Sequence, residues 1–121
     1  MPKPRVLVVD DEQEICELTR SFLARRNFEV FTASTGQETI SAVREKQPGI
    51  VLLDMRLGSE SGIDVLRRIK EADKNVKVVM VTALDDPESI RQATEIGAEN
   101  YLAKPFKADY LCEWINKLMA K

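Results

Sequence analysis

The feature that most constrains this chain is an alternation. Five short apolar runs, RVLVV (5–9), EVFTA (29–33), GIVLL (49–53), VKVVMV (76–81) and NYLA (100–103), are separated by longer segments of helical period. Runs this continuous and this rich in valine fit strands covered on both faces, as in a parallel sheet. In the gaps, Ile15, Leu18, Phe22 and Leu23 form one helical stripe, and Leu111, Trp114, Ile115 and Leu118 form another. Thr35 with Glu38 predicts a capping box, and Asp86 before Pro87 predicts an N-cap with proline at the first helical position. Gly97 suits a helix C-cap. The sum is five β–α repeats, and right-handed crossovers turn these into a doubly wound, three-layer α/β domain. Five strands favour the flavodoxin-like (βα)5 arrangement, sheet order 2-1-3-4-5, over a full dinucleotide-binding sheet. The last stripe runs nearly to Lys121, so a single domain over 1–121 is expected.

In such a sheet, ligands gather outside the carboxyl ends of the strands, at the switch point of the winding. The first run closes on Asp10 and Asp11, and the third on Asp54. The fourth closes on Thr82 and then Ala83; the fifth closes on Lys104 and then Pro105. The second ends in TAST, without a charge. Placing the first strand beside the third brings the three carboxylates into one crevice, with Thr82 and Lys104 flanking them. Clustered carboxylates repel, and partial burial sharpens the repulsion, so the group calls for a proton or a cation. The chain has no histidine, and its two cysteines, Cys16 and Cys112, lie far apart in helical patterns. Histidine bases and imidazole sites are thereby excluded, and a metal held by the cysteine pair is disfavoured; an oxygen-only donor set points to a hard divalent ion, Mg²⁺ first.

A simpler reading lets Asp10 and Asp11 favour the positive end of the first helix. It accounts for one acid but not for three acids facing a lysine. Lys104 suits a strand-end cation that neutralises a carboxylate or holds an anion as a point charge. Thr82 supplies a hydroxyl, and Ala83 leaves room for a group larger than water. A carboxylate nucleophile, a divalent metal, a hydroxyl and a cation form a set for phosphoryl transfer onto Asp54.

The segments VLVVDDE, VLLDMRLGSESG, VVMVTA and NYLAKPF resemble the response-regulator receiver domain of two-component signalling, over essentially the whole chain. The resemblance implies that Asp54 accepts a phosphoryl group from the phosphohistidine of a sensor histidine kinase or a histidine phosphotransfer protein. It implies Mg²⁺ held by Asp11, Asp54 and the backbone carbonyl of Arg56, with Asp10 acting through water. Lys104 would pair with Asp54 and then with the phosphoryl group. Thr82 and the backbone N–H of Ala83 would donate to phosphoryl oxygens, and the Lys104–Pro105 bond would be cis. Thr82 and Tyr101 would form the switch, altering the face built from the fourth helix, fifth strand and fifth helix for a partner protein, an output domain or a second copy. Many receivers carry proline four residues after the phosphorylated aspartate; here Gly58 stands there, which predicts a more mobile loop. Leu84 is expected to shield the acyl phosphate from water.

This makes the chain a binding module with self-catalysed phosphoryl chemistry rather than an enzyme. An aspartate-nucleophile phosphatase needs a second aspartate two residues after the nucleophile, where this chain has Arg56. A flavin phosphate would meet the acidic DDEQE loop. A receiver-like scaffold that binds partners without phosphorylation stands as the alternative. The net charge of −2 gives no global pull toward nucleic acid or an anionic membrane, and no apolar run approaches a membrane span. The start lacks the layout of a signal peptide, so the cytoplasm is the expected compartment.

Overall fold

The computed structural model describes residues 3–82, 87–104 and 108–119. Its main sheet has five parallel strands: β1 (Arg5–Val9), β2 (Glu29–Ala33), β3 (Ile50–Asp54), β6 (Lys77–Thr82) and β7 (Asn100–Ala103). Two further strands, β4 (Arg56–Leu57) and β5 (Glu60–Ser61), form a separate antiparallel hairpin. The main sheet runs β2-β1-β3-β6-β7. With the hairpin set aside, this is the expected 2-1-3-4-5 order. The helices are α1 (Gln13–Ala24), α2 (Gly36–Lys46), α3 (Gly62–Ala72), α4 (Pro87–Ile96) and α5 (Ala108–Met119).

The continuous apolar runs divide between two half-cores, because successive strand side chains point to opposite faces. Leu7, Val51, Leu53, Val78 and Met80 pack with residues of α2, α3 and α4, such as Val43, Leu66 and Ala93. Val6, Val8, Leu52, Val79 and Val81 pack with Leu23 of α1 and with Leu111 and Ile115 of α5. Both free cysteines, Cys16 and Cys112, belong to this second half-core. Each helix needs only one apolar face, and the sheet needs two.

The α5 stripe is as expected, with Leu111, Ile115 and Leu118 buried and Trp114 half-buried. The α1 stripe is corrected at one position: Leu18 is 67% exposed. Cys16 and Leu23 are the fully covered positions of that helix, and Leu18 lies outside the arc they define. Thr35 caps α2 by accepting from Glu38 N–H at 3.1 Å. The Glu38 carboxylate reaches back one residue further than a capping box requires, to the N–H of Ser34 at 2.8 Å. Pro87 is the first residue of α4, while Asp86 lies outside the described residues. Gly97, at φ 127°, closes α4, and Ala98 N–H returns to Ala93 O at 2.9 Å as in a Schellman end. No helix among the described residues is long and apolar enough to cross a membrane.

Candidate functional site

Parallel pairing brings the ends of four strands to one edge. Val9 pairs with Leu53, Asp54 with Val81, and Thr82 with Ala103. Asp10 therefore follows β1 directly, Asp54 is the last residue of β3, Thr82 the last of β6, and Lys104 follows β7. Asp54, Thr82 and Lys104 border a crevice of about 820 Å³ whose lining also includes Asp11, Arg56 and Gly58. Asp10 is buried, 4% exposed.

One carboxylate oxygen each from Asp10, Asp11 and Asp54 fall within 4.8 Å of one another. Lys104 Nζ stands 3.1 Å from Asp54 Oδ2 and 3.4 Å from Asp10 Oδ2. One ammonium thus faces two carboxylates, and a third lies close by. Backbone donors aim the remaining oxygens. Glu12 N–H donates to Asp10 Oδ1 at 3.0 Å, Arg56 N–H to Asp54 Oδ1 at 3.1 Å, and Gly58 N–H to Asp11 Oδ2 at 3.0 Å. Burial pushes the Asp10 carboxyl above its ordinary value, against the pull of the Glu12 N–H and of Lys104. Burial alone would lower Lys104, but the hydrogen bond and charge of Asp54, with Asp10 behind it, hold the ammonium above its ordinary value.

The donor set is oxygen only, and its negative charge exceeds what one lysine offsets. These residues fit a hard divalent cation. Thr82 is buried at the rim, and its carbonyl accepts from Lys104 N–H at 2.7 Å, fixing the two strand ends to one another. Tyr101, 42% exposed, lies on β7 opposite Met80. Ala83, Leu84 and Pro105 lie outside the described residues, and so do the Ala83 N–H and the Lys104–Pro105 bond.

The segment after Asp54 holds what the sequence did not disclose. It doubles back as the β4–β5 hairpin, turning at Gly58, whose φ is 60°. Glycine adopts this left-handed conformation freely, whereas proline is locked near −65°. Gly58 also donates its N–H to Asp11, which proline lacks. Gly58→Pro should therefore not recreate the common family loop. We expect a loss of at least about 1 kcal/mol, roughly 4 °C in melting temperature, read by a thermal melt. Glu60 is a residue that the sequence left unmarked. Its carboxylate accepts from Gly36 N–H, the first residue of α2, at 2.9 Å. The pair is 24 residues apart, beyond any local pattern.

Comparison with known proteins agrees with this architecture. The family model described as "Response regulator receiver domain" matches residues 6–116. Sporulation initiation phosphotransferase F of Bacillus subtilis is 31% identical over 119 residues, covering 98% of this chain and 96% of that protein. The DNA-binding response regulator MtrA of Mycobacterium tuberculosis is 39% identical over 105 residues. That match takes in 87% of this chain but only 46% of MtrA, so the chain spans about half of that relative. The crystal structure of the receiver domain of NtrX from Brucella abortus superimposes with a TM-score of 0.89 at 30% identity, over 96% of this chain and 98% of that one.

Proposed function

Because the chain belongs to the response regulator receiver domain family, we propose that it is the phosphoacceptor switch of a two-component phosphorelay. Asp54 takes a phosphoryl group from the phosphohistidine of a sensor histidine kinase or a histidine phosphotransfer protein. The observation that carries this reading is the setting of Asp54. It ends β3 on the rim of an open crevice, 3.1 Å from the Lys104 ammonium and beside the Asp10 and Asp11 carboxylates.

An Asp54 oxygen forms the new P–O bond as the donor's P–N bond breaks, and the leaving imidazole takes up a proton. Arg56 N–H holds one Asp54 oxygen at 3.1 Å, which orients the carboxylate for attack. Lys104 then follows the charge from carboxylate to phosphoryl oxygens. Asp11, Asp54 and the Arg56 carbonyl would hold Mg²⁺, with Asp10 acting through water; when bound, the ion offsets charge on the transferring oxygens. Thr82 supplies a hydroxyl to the phosphoryl group, and Tyr101 responds on β7, altering the face of α4, β7 and α5. Partner proteins, an output domain or a second copy read that face. The chain is a cytoplasmic switch rather than an enzyme, since the group it accepts stays on itself until water removes it.

The test is direct. Incubation with Mg²⁺ and acetyl phosphate, followed by intact-mass measurement, should show a single phosphoryl adduct, prevented by prior addition of EDTA. No adduct with acetyl phosphate or a phosphohistidine donor would favour a scaffold that binds partners without phosphorylation.

A further inference from the structure

We propose that Glu60 is a positioning residue for the metal centre: it fastens the β4–β5 hairpin to the start of α2 and so fixes the loop that carries the Arg56 carbonyl. This inference rests on the phosphoacceptor reading above. The hairpin has only two residues in each strand, and its turn residue Gly58 lacks the stiffness of proline. Its base is tied by Gly62 N–H to Met55 O at 2.7 Å. Its tip is tied by Gly58 N–H to Asp11 Oδ2 at 3.0 Å, which draws on a carboxylate of the cluster itself. Glu60 adds a tie to α2, an element outside that cluster, through Gly36 N–H at 2.9 Å.

The receiving end is built for this contact. Gly36 is buried and opens α2, where the first N–H groups have no partner within the helix and the helix dipole favours a carboxylate. Thr35 serves Glu38 N–H, and Glu60 serves Gly36 N–H. A Cβ at position 36 would stand 2.5 Å from Glu60 Oε2, so the missing side chain is what lets the carboxylate in. Alanine at that position would displace Glu60 and would also press on Arg68 Nη1 at 3.0 Å and Val65 Cγ2 at 3.1 Å. Groups that orient the ligands of a metal change its affinity without touching it.

Mg²⁺ titrated calorimetrically into the full chain tests this, together with amide exchange over residues 56–61 in the absence of metal. Glu60→Ala should raise the Mg²⁺ Kd by about 10-fold and speed exchange at Arg56 and Gly58. Glu60→Gln, which keeps an acceptor oxygen, should recover part of both. Gly36→Ala should reproduce the weakened Mg²⁺ binding, and the partial recovery in Glu60→Gln separates positioning from general instability. Unchanged Mg²⁺ affinity in both Glu60→Ala and Gly36→Ala overturns the proposal, whatever the exchange rates do. A wild-type chain that binds no Mg²⁺ would instead overturn the phosphoacceptor reading, before any variant is compared.

Discussion

An Asp54→Asn chain given Mg²⁺ and acetyl phosphate should carry no phosphoryl adduct. A Lys104→Ala chain should acquire one about 100-fold more slowly than the wild type. Asparagine is chosen because it keeps the oxygen that accepts from Arg56 N–H at 3.1 Å, so the strand end and hairpin retain their contact. What it loses is the anionic nucleophile. Lys104 is different in kind: its Nζ lies 3.1 Å from Asp54 and 3.4 Å from Asp10, and removing it leaves the acceptor intact but the developing charge poorly met. Intact-mass time courses separate the two outcomes. An adduct on the Asp54→Asn chain would mean that the acceptor is another residue.

Gly62→Ala should cost about 3 kcal/mol or more, lowering the melting temperature by roughly 10 °C. Gly62 opens α3 directly behind the acceptor loop, and a Cβ there would stand 2.4 Å from Asp54 O and 2.7 Å from Met55 O. Those are backbone atoms and cannot rotate aside as a side-chain tip can. Relief has to come from shifting either the start of α3 or the end of β3, and the second displaces Asp54. A thermal melt measures the loss, and phosphoryl uptake by the folded fraction should fall with it. An unchanged melting temperature would refute the close approach. Gly36 contrasts with this, because there the nearest atoms all belong to side chains: Glu60 Oε2 at 2.5 Å, Arg68 Nη1 at 3.0 Å and Val65 Cγ2 at 3.1 Å.

Much of this was legible in the residues, for identifiable reasons. Apolar runs such as VLVV and IVLL announce strands covered on both sides, and a parallel sheet obliges their last residues to share one edge. Asp10, Asp11, Asp54, Thr82 and Lys104 could therefore be placed together before any coordinates. The capping by Thr35 and the Gly97 helix end were readable because such signals act within four or five residues. What stayed hidden depended on long-range geometry. The β4–β5 hairpin has no periodicity of its own, since each strand is only two residues long. The Glu60 contact joins segments 24 residues apart, and the Gly58 contact with Asp11 joins segments 47 apart. The spacing of Leu18 fits a covered stripe, yet the residue is 67% exposed; a stripe fixes a direction but not its width.

The division of the strands between two half-cores has a consequence for how the chain finds its register. In a sheet with one wet face, a slip of one residue turns the apolar side outward and is heavily penalised. Here both faces are apolar, so a slipped β1 or β3 still covers aliphatic side chains, and the hydrophobic pattern alone tolerates the error. The charged ends do not. Slipping β3 by one residue would bring Asp54 into the place of Leu53, which is fully buried opposite Val9. Asp54 therefore acts as a stop against a slip of β3 in that direction, and a residue assigned to chemistry also disfavours one misregistered sheet.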